Sequence, residues 1–226
     1  MRSPRLARRP AAVIFDMDGL MLDTEPVAAR AWSVAADELG IAFDRAVTPR
    51  MIGRNFADCR TLIREHHGDD YPVDTLMSGW HAAYDALIAS EGLVVKEGLF
   101  ELLDWLEAAA IPKAVATSTR RQRALAKLER VGIAQRFVTL VGGDEIPRGK
   151  PAPDIFLEVA ARLAADAGTC LVLEDSEPGV HGALAAGMAA IVVPDLHAPS
   201  ATLLAAGPLV LPSLHDVRTH LMALPD

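Results

Sequence analysis

A short apolar segment near the N-terminus ends abruptly in acidic residues. The segment Ala12–Phe15 contains Val, Ile and Phe, and Asp16, Asp18 and Gly19 follow it. An apolar run of this kind is typical of a parallel strand that is buried on both faces. In open α/β sheets, ligands bind beyond the carboxyl ends of the strands, where these acids would lie. Gly19 then allows the chain to turn sharply before a helical stretch.

The remainder of the chain alternates between short apolar segments and amphipathic segments. Further strands are predicted over residues 113–117, 137–141, 170–174 and 189–193, with a last short one over 209–211. Helices are predicted over residues 25–39, 98–110, 120–130, 154–165 and 178–186, and from about 213 onward. This alternation predicts an α/β fold with a doubly wound parallel sheet.

A long connection follows the first predicted strand. Roughly 95 residues separate it from the second strand, far more than the usual crossover of a βαβ unit. Residues 40–90 have a helical pattern and contain no convincing strand. We therefore predict that residues 23–92 form a small all-helical domain, inserted into an α/β core of residues 1–22 and 93–226. Thr24 is placed to cap the first helix of this insert.

Composition and charge limit the classes of function. The chain has 226 residues, 51% of them apolar, and no apolar run is long enough to span a bilayer. The net charge of −8 argues against nucleic acid as a partner. Cys59 and Cys170 lie far apart without metal-type spacing, which suits a reducing compartment. We therefore expect a cytoplasmic monomer that does not associate with membranes.

Hydroxyl, lysine and acidic side chains follow later predicted strands or precede a helix. They are Thr117 and Ser118, then Lys150 in a Pro-flanked loop, then Glu174 and Asp175. Because the carboxyl ends of parallel strands meet at one edge of the sheet, we expect these side chains to join Asp16 and Asp18 there.

Electrostatics indicates what this set of residues does together. Two unit charges about 4 Å apart interact by roughly 4 kcal/mol at an effective dielectric near 20, so crowded carboxylates require cations. Lys150 supplies one positive charge, and a hard divalent cation with oxygen ligands, Mg²⁺, supplies the rest. Thr117 and Ser118 add neutral donors for phosphate oxygens. The sequence therefore predicts a site for phosphoryl transfer.

These residues resemble the four motifs of the haloacid dehalogenase-like hydrolase superfamily. The motifs are Asp16-Met17-Asp18-Gly19, Thr117, Lys150 and Glu174-Asp175, and they occur in the family's order. The resemblance covers the chain from about residue 11 to 194. The helical insert resembles the cap of the subfamily that contains phosphosugar phosphatases, phosphoglycolate phosphatase and beta-phosphoglucomutase.

The resemblance implies a role for each acid. Asp16 corresponds to the nucleophile that forms an aspartyl-phosphate, and Asp18 to the general acid and base. Asp18 must hold a proton for part of the cycle, so we expect its surroundings to raise its pKa. The Mg²⁺ ligands would be the carboxylates of Asp16 and Asp175 and the backbone carbonyl of Asp18. Glu174 would bind the ion either directly or through a water molecule.

The remaining roles concern the phosphate and the leaving group. Thr117 and Lys150 correspond to residues that bind the transferring phosphoryl group, with Ser118 beside them, and Gly19 belongs to the same site. Glu25 and Arg54 are candidate substrate contacts from the insert. The alternatives are that Glu25 belongs only to a hinge and that Arg54 is a surface residue.

The resemblance implies a phosphatase that acts on a small phosphorylated metabolite, foremost a sugar phosphate. A beta-phosphoglucomutase-like mutase is the alternative, although Ala28 stands where that enzyme has a histidine that positions its acid/base. A non-catalytic binding module on the same fold is disfavoured because no catalytic position is missing. A dinucleotide-binding protein is disfavoured because the first strand lacks a Gly-rich turn.

Overall fold

A parallel sheet forms the centre of the computed structural model, which describes residues 6–51, 54, 56–196 and 198–225. Its strands in this part of the chain are β1 (Ala12–Phe15), β2 (Lys113–Ala116), β3 (Thr139–Val141), β4 (Cys170–Glu174), β5 (Ala189–Val192) and β6 (Leu209–Val210). They lie in the order β3-β2-β1-β4-β5-β6, and all neighbouring pairs are parallel. The chain therefore winds outward in both directions from β1, as predicted.

The helices in the described part of the chain are α1 (Glu25–Leu39), α2 (Phe56–His67), α3 (Val73–Glu91), α4 (Leu99–Ala108), α5 (Arg121–Arg130), α6 (Asp154–Arg162), α7 (Glu177–Ala185), α8 (Ala201–Ala205) and α9 (Leu214–Met222). The helices from α4 onward cover both faces of the sheet, whereas α1, α2 and α3 lie in the connection between β1 and β2. The predicted alternation is confirmed, but α8 was not predicted. The strand β3 begins at Thr139 instead of residue 137, because the chain first makes a 3-10 turn over Ala134–Arg136.

The strand β1 is buried on both faces. Val13 and Phe15 belong to an apolar cluster with residues of α4, α5 and α9, whereas Ala12 and Ile14 belong to a cluster with residues of α6, α7 and α8. All four residues are fully buried. The strand therefore carries no solvent-facing side chain, and its uniformly apolar sequence follows from this position.

The connection between β1 and β2 is helical, as predicted. It contains α1, α2, α3 and a 3-10 segment, Arg45–Met51. Its apolar side chains form a cluster of their own, in which Trp32, Ile63 and Leu76 are buried. The separate cluster supports an inserted domain, while its predicted boundaries at residues 23 and 92 stay a prediction. In the described part of the chain, none of the helices is long and apolar enough to cross a membrane.

Candidate active site

The turn after β1 brings the first motif against the last. The backbone N–H of Asp16 donates to the carbonyl of Leu173 at 3.0 Å and so extends the parallel ladder by one residue. Gly19 adopts a φ of +90°, a region that L side chains rarely occupy. A Cβ on Gly19 would lie 2.4 Å from Oδ2 of Asp175. Glycine is therefore required here both by the turn and by the close approach of the acid.

Lys150 connects the acids of β1 and β4. Its Nζ lies 2.5 Å from Oδ1 of Asp16, 2.5 Å from Oε1 of Glu174 and 3.1 Å from the carbonyl of Ala116. The lysine is 1% exposed. Burial acts to lower its pKa, but the carboxylates of Asp16 and Glu174 raise that pKa well above its usual range. The buried ammonium therefore stays charged and fixes the positions of both acids.

Glu174 is held on both of its oxygens. While Oε1 accepts from Lys150, Oε2 accepts from the backbone N–H of Ser176 at 3.1 Å and from its hydroxyl at 2.9 Å. Ser176 also caps α7, because its Oγ accepts from the N–H of Gly179. A Cβ on Gly179 would lie 1.9 Å from Oε1 of Glu174. The start of α7 therefore shapes the pocket that encloses this carboxylate.

Three carboxylates at this sheet edge could hold a metal ion. Ligand oxygens of Asp16, Glu174 and Asp175 all lie within 4.8 Å of one another. Burial raises the pKa of Asp16 and of Asp175, and repulsion among the acids raises both further, while Lys150 opposes the rise. One ammonium does not balance three carboxylates. The donor set is all oxygen and its charge is in excess, so it fits a hard dication such as Mg²⁺.

Asp18 lies beside this cluster and accepts hydrogen bonds from three side chains. Thr24 and Lys127 donate to Oδ1 at 2.9 and 2.7 Å, and Thr119 donates to Oδ2 at 2.7 Å. Burial acts to raise the pKa of Asp18, but Lys127 and the hydroxyls outweigh it and lower that pKa. Our expectation of a raised pKa is therefore wrong for this arrangement. The reason is Lys127, a cation that the sequence analysis did not assign to the site.

Thr24 also departs from its predicted role. It precedes α1, but its side chain makes no capping hydrogen bond, and its hydroxyl donates to Asp18 instead. Lys127 also contacts the insert, because its Nζ lies 4.9 Å from the centre of the Tyr84 ring on α3. A sequence signal for Lys127 did exist. It lies three residues after the buried Ala124, so it is placed on the same face of α5.

A small cavity joins Asp16 and Asp18 to the insert. Its volume is about 130 Å³. Of the predicted site residues, six line it: Asp16, Asp18, Glu25, Arg54, Thr117 and Ser118. Thr117 is buried, and its Oγ1 accepts from the N–H of Thr119 at 3.1 Å. The other predicted residues, Gly19, Lys150, Glu174 and Asp175, are not among its lining residues. Asp175 lines a second cavity, to which Arg54 also contributes.

The insert supplies most of the far wall of this cavity. The wall is largely apolar and aromatic: Ala28, Trp32, Met51, Phe56, Cys59, Trp80 and Tyr84. Trp80 contacts two of these rings: it stacks on Tyr84 with centroids 4.8 Å apart and is tilted by 31° to Trp32 with centroids 5.2 Å apart. Burial raises the pKa of Glu25 to about 7, and repulsion from Asp18 adds to the rise. The sequence analysis predicted Glu25 and Arg54 but none of the aromatic residues.

Comparison with known proteins identifies the family. A family model described as haloacid dehalogenase-like hydrolase matches residues 10–187. The chain belongs to the haloacid dehalogenase-like hydrolases. It is therefore an enzyme of a hydrolase family, as the four motifs predicted.

Several relatives of this hydrolase are named phosphatases. The phosphorylated carbohydrates phosphatase of Thermotoga maritima is 33% identical over 177 residues, which cover 78% of this chain and 82% of the relative. The bifunctional riboflavin kinase/FMN phosphatase of Arabidopsis thaliana is 32% identical over 225 residues. That alignment covers 99% of this chain but only 58% of the Arabidopsis protein.

Other similar proteins include a mutase and a solved hydrolase. The beta-phosphoglucomutase of Bacillus subtilis is 32% identical over 190 residues, which cover 80% of this chain and 82% of the mutase. A crystal structure of a hydrolase from Pseudomonas syringae has a TM-score of 0.81 at 25% identity. It covers 95% of this chain and 99% of that chain, so the two folds correspond over almost their full length.

Proposed function

We propose that this hydrolase is a Mg²⁺-dependent phosphatase that uses an aspartyl-phosphate intermediate. The observation that carries the proposal is the pair Asp16 and Asp18, which face one cavity while Lys150 holds Asp16 at 2.5 Å. A carboxylate that is held on one oxygen by a buried ammonium is suited to nucleophilic attack, because that contact fixes the direction of its second oxygen. Asp16 and Asp175, with Glu174 and the backbone carbonyl of Asp18, would hold Mg²⁺, which neutralises charge on phosphate oxygens.

The reaction proceeds in two displacements. A carboxylate oxygen of Asp16 attacks phosphorus as the bond to the leaving oxygen breaks, and protonated Asp18 gives its proton to that oxygen. Asp18, now ionised, takes a proton from water, whose oxygen displaces the Asp16 carboxylate and releases phosphate. The hydrogen bonds from Thr24, Thr119 and Lys127 favour ionised Asp18, which is the form needed in the second displacement. Thr117 and Ser118, which line the cavity, would bind the phosphoryl oxygens. Lys150 was predicted to bind them as well, but its ammonium already donates to Asp16, Glu174 and the carbonyl of Ala116, so it would act through Asp16.

The cavity favours a small phosphorylated metabolite, foremost a sugar phosphate. Its volume of about 130 Å³ lies below the range of roughly 300–1,000 Å³ that is usual for drug-sized ligands. The rings of Trp32 and Trp80 offer a surface for the C–H face of a sugar, and Glu25 and Arg54 offer polar contacts. We further propose that the protein is a cytoplasmic monomer without a nucleic-acid or membrane partner; its net charge of −8 disfavours binding to nucleic acid.

The insert of residues 23–92 would act as a lid over this cavity. Two linkers join it to the core, and they touch where Leu22 and Val95 form an antiparallel bridge. Closure of such a lid would exclude water and bring the aromatic wall onto the substrate. A cross-link that locks the insert to the core is expected to abolish turnover of bulky substrates, and unchanged turnover would contradict the lid.

A phosphosugar mutase is the second candidate, and the similarity to the Bacillus subtilis mutase favours it. Ala28, which lines the cavity, stands at the position of the mutase histidine and offers no polar group to an acid/base. Here Lys127 contacts Asp18 instead. The alanine favours hydrolysis, since the mutase device for holding the acid/base is absent at that position.

Phosphate release from a panel of phosphorylated metabolites tests the proposal. We expect Mg²⁺-dependent release from a narrow set, loss of release with a chelator, and loss in Asp16→Asn. Asp104→Asn, at an exposed residue of α4, is the matched control and is expected to keep full activity. Conversion of glucose 1-phosphate to glucose 6-phosphate without phosphate release would favour the mutase. Silence in both assays would favour a non-catalytic binding module.

A further inference from the structure

A buried acid outside the four motifs lies next to the candidate metal site. Asp195 follows β5, and its side chain is only 7% exposed. Its Oδ1 accepts a hydrogen bond from Nζ of Lys96. Its Oδ2 is buried and has no hydrogen-bond partner among the residues that the structure describes. A buried carboxylate oxygen without a hydrogen-bond donor is rare in native structures, so we expect a donor for this oxygen.

The position of Gly19 shows where that oxygen points. A Cβ on Gly19 would lie 2.4 Å from Oδ2 of Asp175 and 3.3 Å from Oδ2 of Asp195. The two carboxylate oxygens therefore flank the same point and lie within about 6 Å of each other. Asp175 belongs to the group of three acids that could hold a metal ion. The unpartnered oxygen thus lies next to a member of that group.

Neither of the two lysines near these acids in the described part of the chain pairs with Oδ2 of Asp195. Lys96 already occupies Oδ1, and Lys150 is committed to Asp16 and Glu174. The negative charge of Asp195 also contributes to the raised pKa of Glu25. A direct metal bond to both Asp175 and Asp195 is not required, since Mg²⁺ retains several of its waters in proteins. A water on the ion would be the missing donor.

We propose that Asp195 is an outer-shell residue of the magnesium site. Its Oδ2 accepts a hydrogen bond from a water molecule of an ion held by Asp16 and Asp175, and Lys96 orients it through Oδ1. This inference rests on the magnesium part of the proposed function. Asp195 is a positioning residue, because it acts on the ion only through that water.

Lys96 links this arrangement to the insert. Its Nζ lies 3.3 Å from Oδ1 of Asp23, and its backbone N–H donates to the carbonyl of Met21 at 2.9 Å. Asp23 in turn donates its backbone N–H to the carbonyl of Val94 at 2.9 Å. Both linkers of the insert therefore meet at the lysine that orients Asp195.

Titration of the metal-free protein with Mg²⁺ by calorimetry tests the inference without reference to turnover. In Asp195→Asn, Lys96 requires an acceptor, so the amide oxygen takes the place of Oδ1. The amide NH₂ then stands in the place of Oδ2 and cannot accept from a metal-bound water. We expect the Kd for Mg²⁺ to rise 10- to 100-fold, as is typical when an outer-shell partner is lost. Asp23→Asn, which changes the other partner of Lys96, is the matched control and is expected to stay within twofold.

Each outcome of this titration decides one question. An Asp195→Asn protein that binds Mg²⁺ as tightly as wild type would overturn the inference and leave the proposed function untouched. A wild-type protein that binds no Mg²⁺ would overturn the magnesium part of the proposed function and the inference with it. If Asp195→Asn does not fold, as judged by circular dichroism, Asp195→Ser replaces it, because its hydroxyl is too short to reach the same water. Unchanged affinity in that variant would equally overturn the inference.

Discussion

The ion pair between Lys127 and Asp18 is expected to contribute strongly to stability. The pair joins α5 to the turn after β1, and its Nζ–Oδ1 distance is 2.7 Å. The side chains are 12% and 22% exposed, so both charges are largely removed from water. A double-mutant cycle of Lys127→Met, Asp18→Asn and the double variant separates their interaction from the other contacts that each residue makes.

The geometry sets the size of the expected coupling. At an effective dielectric near 20, two charges at this distance attract by about 6 kcal/mol, and desolvation of both groups offsets part of that. Removing one partner of a buried pair costs about 3–5 kcal/mol, and the partial exposure of Asp18 places this pair at the lower end. We therefore expect Lys127→Met to cost about 3 kcal/mol more in the wild-type background than in the Asp18→Asn background.

Urea denaturation of the metal-free proteins at pH 7, followed by circular dichroism, measures the four free energies of unfolding. A coupling energy below about 0.5 kcal/mol would refute the argument, because such a value is typical of exposed pairs. Lys127→Met should also raise the pKa of Asp18, since burial then acts without its main opposing charge. Because the second displacement uses ionised Asp18, the acidic limb of the kcat profile should move to higher pH.

Three further predictions concern single side chains. In Gly179→Ala the new Cβ would clash with the carboxylate of Glu174, so we expect the variant to lose its activity and about 2 kcal/mol or more of stability, although Ala normally stabilises a helix by about 1 kcal/mol relative to Gly. Urea denaturation and phosphate release measure the two losses, and a variant that is both stabilised and active would contradict the prediction. Burial raises the pKa of Glu25 from 4.5 to about 7, so the folded state retains a proton that the unfolded state releases between these values, and wild-type stability falls as pH rises through that window. Glu25→Gln should therefore gain up to about 3 kcal/mol over metal-free wild type between pH 4.5 and 7, and a pH-independent difference would contradict this. Arg136 and a neighbouring lysine lower the pKa of Glu107 to about 2, so the contribution of this carboxylate to the free energy of unfolding is complete above pH 4.5 and is lost toward pH 2. Because the side chain is half exposed, we expect Glu107→Gln to cost roughly 1 kcal/mol at pH 7 and nothing at pH 2, as measured by thermal denaturation.

The sheet could be predicted because its cause is local. A parallel strand buried on both faces must be apolar throughout, so Ala12–Phe15 is recognisable without its neighbours. The carboxyl ends of such strands meet at one edge by construction, so Asp16, Thr117 and Asp175 could be assigned to one site from their positions in the sequence. Residues of three separate motifs could thus be assigned to one site, although Asp16 and Thr117 are more than 100 positions apart in the sequence.

The electrostatics of the site could not be predicted because its causes are distant in sequence. The pKa of Asp18 depends on Lys127, which is 109 residues away and belongs to a helix that has no motif. Thr24 is a residue type that commonly caps helices and it immediately precedes α1, yet its hydroxyl donates to the nearby carboxylate of Asp18. In both cases the outcome depended on which partner the fold brought close, and helical periodicity alone does not identify that partner.

The helix α5 contacts both the insert and Asp18 of the core. Its Lys127 lies against the ring of Tyr84 on α3 and also donates to Asp18. The neighbouring turns of α5 repeat the contact, since Arg123 pairs with Asp85 and Arg130 donates to the carbonyl of Ala89. A shift of α3 relative to the core would thus pull directly on the cation that determines the charge of Asp18. The position of the insert and the charge of Asp18 are therefore coupled through one lysine, and the proposed mechanism uses both the protonated and the ionised form of Asp18.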